Sequence, residues 1–232
     1  KIIKIKDKSI ETENEVESLG VIIDNKLSFR THISNLCKNA GGKLNALKRL
    51  SHYLDRTTRK YYTNAYVISN FNYCASVWHF CGLVEIHKME KIQERSIRFI
   101  YNDYTTAYHQ LLSTHSLVTL YTKRLRAICC EIYKTKNNLN PNYINDILES
   151  RPSQYPSRKP HDLYVPSANQ KGFGLNSFRV EGPKIWNTLP DEVKSAGSLI
   201  EFKSKLKKID LPVCRCNGNC IGYQIENNSA DT

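Results

Sequence analysis

Ser18-Leu19-Gly20-Val21-Ile22-Ile23-Asp24-Asn25-Lys26-Leu27-Ser28-Phe29 joins an apolar strand to a turn and then to a helix loaded with Lys and Arg. Upstream, Ile3 and Ile5 alternate with Lys4 and Lys6, and Glu11, Glu13, Glu15 and Glu17 fall on alternate positions, as on a strand with one solvated face. Asp7-Lys8-Ser9 reads as a turn, the second strand is expected to run from Val16 to Ile23, and Asp24-Asn25-Lys26 to end it. From Ser28 the period changes. Ile33, Leu36, Cys37, Ala40, Leu44 and Leu47 keep helical spacing, with Ser28 or Thr31 available as the N-cap and Gly41-Gly42 as a weak, kinkable middle. A short N-terminal β-hairpin feeding a basic helix sets the fold class: mainly α.

Working outward, Asp55 offers a cap for a second helix, with Arg56, Arg59 and Lys60 near its start and Ala65 and Ile68 inside. Cations there oppose the helix dipole, which points to an external anion. A third helix is expected from Leu83 to Ile100, with Ile86, Met89, Ile92, Ile97 and Ile100 on one stripe and Lys88, Lys91, Arg95 and Arg98 off it. A short helix around Ala107–Leu112 and a long one from Leu120 to Lys136 follow. Asn137-Asn138-Leu139-Asn140-Pro141 stops the run, and Pro152, Pro156, Pro160 and Pro166 mark a linker or an extended wrapping segment. Beyond it, Gly182-Pro183-Lys184-Ile185-Trp186-Asn187 leads to Pro190, which can start a helix containing Val193, Leu199, Phe202 and Leu206. The expected organisation is a hairpin over 1–27, a basic helical bundle over 28–136, a Pro/Asn-rich linker over 137–170, a small helical unit over 171–211 and a disordered cysteine-containing tail over 212–232.

The formal charge of +12 is unevenly placed. Residues 1–27 hold 5 Lys/Arg against 6 Asp/Glu, residues 28–136 hold 17 against 6, and residues 137–232 hold 12 against 10. An excess concentrated in the middle segment points to a polyanionic partner, against the plainer reading of a solvated basic surface. A mean hydropathy of −0.51 and the interruption of the apolar run Ala65–Trp78 by Asn70 and Asn72 argue against a membrane span. The chain begins with Lys and shows no signal-peptide pattern, so a piece of a longer intracellular polypeptide, cytoplasmic and nuclear, is expected. Of the eight cysteines, Cys37, Cys74, Cys81, Cys129 and Cys130 lie in apolar or helical stretches and read as small hydrophobes in a reducing compartment. Cys74, His79, Cys81 and His87 read as packing residues rather than a metal cluster. Cys214-x-Cys216-x-x-x-Cys220 resembles the start of a zinc knuckle but lacks the fourth ligand of a structural Zn2+ site. Tyr61, Tyr62, Tyr66, Tyr73 and Tyr101 sit near basic positions, where they either stack on bases or pack helices; Trp78 and Trp186 read as core anchors.

Four blocks in order resemble the C-terminal part of a non-LTR retrotransposon reverse transcriptase of the jockey type. They are Ser18-Leu19-Gly20-Val21 through Leu27-Ser28-Phe29 to His32-Ile33; Phe71-Asn72-Tyr73-Cys74 through Val77-Trp78; Ile92-Gln93-Glu94-Arg95 through Ile100-Tyr101; and Gly182-Pro183-Lys184-Ile185-Trp186-Asn187-Thr188-Leu189-Pro190 with Glu201-Phe202-Lys203. The resemblance implies that 1–27 ends a palm, with Leu19, Gly20 and Val21 gripping a primer strand, and that roughly Ser28 to Ile100 form a helical thumb. It implies Mg2+ only for a catalytic Asp-Asp turn upstream, which this chain lacks; Asp24 reads as a turn residue and Asp55 as a cap. No catalytic residue and no cofactor are assigned, and the chain alone is not expected to polymerise DNA.

Lys and Arg on helical faces neutralise phosphates without reading sequence. Arg30, Lys38, Lys43, Lys48, Arg49, Arg56, Arg59 and Lys60 are the candidate contacts to RNA or to an RNA–DNA or DNA duplex, with the remainder of the polymerase as the other partner. The positive charge between Arg30 and Lys136 is expected to form a continuous concave surface beside the opening hairpin. The alternative is a non-enzymatic helical interaction module, or a degenerate element remnant, whose basic face meets an acidic protein.

Overall fold

The computed structural model describes residues 2–5, 8–11, 13–150, 161–167 and 175–212, and places two antiparallel hairpins at the start of the chain where one was expected. Strands β1 (Ile2–Ile5) and β2 (Lys8–Glu11) pair with Ile2 opposite Glu11, and β3 (Glu15–Ser18) and β4 (Val21–Asp24) pair with Ser18 opposite Val21. The continuous strand expected over Val16–Ile23 is therefore folded back on itself. Leu19 (φ 48°) and Gly20 (φ 78°) form its two-residue turn. Two left-handed residues in succession give the turn whose twist matches that of paired strands.

Asp24 joins the sheet to the helices. Its carboxylate accepts the N–H groups of Lys26 (3.0 Å), Ser28 (3.1 Å) and Phe29 (2.6 Å) and the Ser28 hydroxyl (3.1 Å). Partial burial pushes its pKa up, but these hydrogen bonds outweigh burial and the net shift is downward. Neither expected N-cap serves α1 (Arg30–Arg49): Ser28 donates to Asp24, the Thr31 hydroxyl donates to Glu15, and Phe29 enters the helix at φ 55°. The helix runs unbroken through Gly41-Gly42. Buried Ile33, Ala40 and Leu44 hold it along its length, and a Cβ at Gly41 would stand 3.7 Å from the Ile92 side chain.

Asp55 caps the next segment as expected, accepting from the Thr58 N–H at 3.0 Å. The single helix expected there is broken into α2 (Arg56–Tyr62), a π-helical turn (Thr63–Val67) and a 3-10 turn (Ile68–Phe71). The Asn70 amide donates to the carbonyls of Tyr66 (2.6 Å) and Val67 (2.8 Å), competing with the helical ladder. The widened turn keeps Val67, Ile68 and Phe71 facing the core. Arg59 and Lys60 then lie in the last turn of α2, so opposition to the dipole applies to Arg56 alone.

After α3 (Ala75–Trp78), the elements α4 (Leu83–Tyr101), α5 (Tyr108–Thr114) and α6 (Leu120–Lys136) fall where the spacing predicts, with the whole α4 stripe buried. Buried Glu90 of α4 holds the first turn of α6, accepting from the N–H groups of Leu120 (3.3 Å) and Tyr121 (2.7 Å) and from the Tyr108 hydroxyl (3.1 Å). Burial raises its pKa, and nearby Arg124 together with these donors offsets only part of the rise.

The helices α7 (Asn142–Asn145), α8 (Phe178–Thr188), α9 (Asp191–Lys194) and α10 (Leu199–Lys208) complete the chain. The one helix expected after Pro190 is two, because Ser198 restarts the chain as a cap: its hydroxyl accepts the Glu201 N–H, and Glu201 accepts the Gly197 N–H. Two apolar clusters share α6. Leu120, Tyr121 and Leu125 pack with Trp78 and the α1–α4 layer, whereas Ile128, Cys129, Ile132 and Tyr133 pack with Trp186, Phe202 and Leu206. Residues 161–167 wrap this second cluster rather than span it. Trp186 donates to the His161 carbonyl (2.8 Å), the Asn187 amide bridges the Leu163 N–H and carbonyl, and buried Lys194 pairs with buried Asp162 at 2.7 Å.

Both tryptophans are fully enclosed, as core anchors should be. Cys37, Cys74, Cys81, Cys129 and Cys130 are free thiols, and burial pushes Cys37 to about 11 and Cys129 to about 12. His79 packs between the rings of Phe80 and Tyr121. Among the described residues no helix is long and apolar enough to cross a membrane. Cys214, Cys216, Cys220 and the rest of the tail beyond residue 212, like residues 151–160 and 168–170 of the expected linker, lie outside the described residues.

Candidate nucleic-acid interface

The β3–β4 tip is pinned rather than free. The Tyr73 hydroxyl donates to the Leu19 carbonyl at 2.7 Å, and Gly20 lies against the Tyr73 ring. Two of the quoted blocks thus meet in space. His32 does the same one step lower, accepting the Ile22 N–H and lying 6.1 Å from the Trp78 ring. Of the expected gripping residues, Val21 is buried in the core, which leaves the 86% exposed Leu19 side chain and the Gly20 backbone as the accessible tip.

Among the described residues, the concave surface beside this hairpin is not basic. A cleft of about 500 Å³ is lined by Ile23, Leu27, Phe29, Val77 and Phe178 together with Glu131, and no Lys or Arg is among its described lining residues. This corrects the expected position of the cationic groove, and the cause is packing: the amphipathic edges of β4, α3 and α8 converge there, while the cations ride on outer helix faces.

Among the described residues, a basic concavity lies at the C-terminal end of α4. Arg56, Thr57, Lys60, Tyr101 and His115 line a cleft of about 320 Å³. The Arg56 guanidinium sits 5.9 Å from the centre of the Tyr101 ring, which stacks on His115 at 3.4 Å. Next to it, the Lys48 ammonium lies 6.0 Å over the Tyr104 ring, and burial together with neighbouring Arg95 lowers its pKa. Arg95 is anchored to the Asn45 side chain at 3.1 Å. Nearby carboxylates are already engaged: Asp55 caps α2, Asp103 accepts the N–H groups of Thr105 and Thr106, and Glu94 pairs with Arg98 at 2.8 Å. Asp103 is held at about 2 by those Thr106 and Thr105 contacts.

The remaining candidates separate into two groups. Lys38, Lys43 and Arg49 are exposed on α1, with Lys43 donating to the Asn70 side chain, and Arg30 is exposed 3.9 Å from buried Glu85. Arg59 is committed inward: its guanidinium donates to the carbonyls of Ser51 (2.7 Å) and Leu54 (2.9 Å) and covers the Phe99 ring. Farther along, Arg124 is buried over Trp78 and Lys136 is held by the His161 carbonyl, so part of the basic excess is architectural. Sequence reasoning missed Arg95, Tyr104 and His115 as site residues. Arg95 had a signal, lying off the apolar stripe of α4, whereas His115 had none, because only tertiary folding sets it on Tyr101.

The Asp24 and Asp55 carboxylates are occupied by backbone N–H groups, and among the described residues no three His, Cys, Asp or Glu side chains gather to hold an ion. Comparison with protein-family models, with curated proteins and with solved structures finds no match to this chain.

Proposed function

We propose that the chain binds nucleic acid without sequence preference, as the thumb and post-thumb part of a retrotransposon RNA-directed DNA polymerase whose catalytic carboxylates lie elsewhere. One observation carries the reading. Arg56, Lys60 and His115 gather around Tyr101, with Lys48 over Tyr104 and Arg95 near Lys48. Such a patch offers a phosphate backbone several exposed cations and flat faces for sugars. The four resembling blocks supply the parentage, and no step of polymerisation is assigned to this chain.

Fluorescence-anisotropy titrations with an RNA–DNA duplex, a DNA duplex and heparin, each over a salt series, test it. Arg56→Ala with Lys60→Ala should lower the slope of log K against log salt by about 1.8 on a DNA duplex. An unchanged slope removes the cleft from the interface, and equal retention by heparin reduces the reading to charge alone. The second reading, a protein-interaction module, is favoured by the apolar cleft beside the hairpin, whose rim exposes Leu27 and Val77.

A further inference from the structure

Four tyrosines stand outside the core around α2. Tyr53, Tyr61, Tyr62 and Tyr66 are 87%, 71%, 36% and 55% exposed. Tyr62 and Tyr66 are near-parallel, 6.0 Å between centres and 29° between planes, and Tyr61 meets Tyr62 edge-on at 5.8 Å. Packing does not explain them, because the same segment turns Thr63, Val67, Ile68 and Phe71 inward. Tyr62 and Tyr66 are four residues apart, the spacing that sets side chains next to each other on one helix face, and Tyr66 lies in the π-helical turn, an element that recurs at functional sites.

The stretch of sequence that carries these rings is one-sided in charge. From Arg30 to Val84 the sequence holds eight Lys/Arg and one carboxylate, Asp55. The Lys43 ammonium donates to the Asn70 side chain at 2.9 Å, and the Asn70 amide donates to the Tyr66 carbonyl at 2.6 Å. Exposed flat faces on a strongly basic stretch of chain match a polyanion that carries flat faces of its own. A duplex hides its base faces in the stack, whereas an unpaired strand presents them.

We infer that Tyr62 and Tyr66, flanked by Tyr61, form a stacking platform for unpaired bases of a single-stranded nucleic acid, with Lys43 as a neighbouring cation for its phosphates. The inference rests on the nucleic-acid reading above and extends it from duplex backbone to single strand. The stacking is indifferent to base identity, since every base has a face. The two strand types thus use different chemistry on adjoining surfaces.

The test uses the full chain, a 12-nucleotide oligouridylate, the same strand made abasic, and a blunt 12-base-pair duplex, all read by anisotropy. Tyr62→Ala with Tyr66→Ala should weaken oligouridylate binding about tenfold per ring, leave duplex affinity within twofold, and make the protein indifferent to loss of the bases. Tyr62→Phe with Tyr66→Phe should bind as wild type, because the ring and not the hydroxyl acts. Wild-type-like oligouridylate binding by the alanine pair, or equal wild-type affinity for intact and abasic strands, overturns the platform while leaving duplex binding standing. Wild-type protein that binds neither nucleic acid overturns the nucleic-acid reading itself. Polyglutamate that displaces oligouridylate equally from wild type and from the alanine pair assigns the surface to acidic protein and refutes the inference.

Discussion

Replacing Lys194 with Met isolates the ion pair that holds the wrapping segment in place. The Lys194 side chain is 2% exposed and that of Asp162 6%, at 2.7 Å, and the same ammonium donates to the Asn187 carbonyl at 3.3 Å. Met preserves most of the alkyl stem, so little cavity is made and the change is electrostatic. Asp162 is left as a buried carboxylate without its counter-ion, a loss of about 3–5 kcal/mol. The second carboxylate near Lys194, Asp191, is 54% exposed and adds little. In a chain of this size the loss lowers the melting temperature by roughly 6–20 °C. Urea unfolding followed by circular dichroism and by tryptophan emission reads it, since Trp186 lies in the same cluster and donates to His161, the residue before Asp162. Adding Asp162→Asn should restore part of the stability by removing the stranded charge. A loss below about 1 kcal/mol, or a double variant no better than Lys194→Met, would refute the reasoning.

Two further outcomes follow from the N-terminal half. Gly42→Ala should stabilise the protein by about 1 kcal/mol, because α1 is continuous there and a methyl group meets nothing within 4 Å; a loss of stability in thermal melts would mean that α1 needs a soft middle. Asp24 has a lowered folded pKa, so its hydrogen bonds contribute fully above the ordinary carboxylate pKa of about 3.9 and are lost as pH falls through the folded value. Asp24→Asn should therefore flatten the acid limb of a stability-versus-pH curve; an acid limb identical to wild type would show that the loop after β4 does not depend on the charge.

The long, strongly periodic helices α4 and α6 were legible in the sequence because their apolar stripes persist for several turns and Gly82 and Asn137 bound them. The elements that escaped were set by single contacts. Leu19 in a left-handed turn breaks a run that reads as one strand, since Leu carries no turn signal. The Asn70 amide rewrites the helix after Asp55, and Ser198 with Glu201 restarts the one after Pro190. Basic patches were legible in number but not in place. Arg59 and Lys60 are neighbours in sequence, yet one is tied to carbonyls and the other lines an open cleft. Composition cannot separate them, because the difference lies in which way each side chain leaves the backbone.

The helix α6 belongs to two cores at once, which limits modularity. A chain cut after Lys136 would expose Ile128, Ile132 and Tyr133 to water, and the remaining C-terminal piece would lack its own floor. Melting should therefore pass through a single calorimetric peak, and the smallest autonomous unit must retain α10. A rigid shared axle of this kind also means that strain entering at one core is felt at the other.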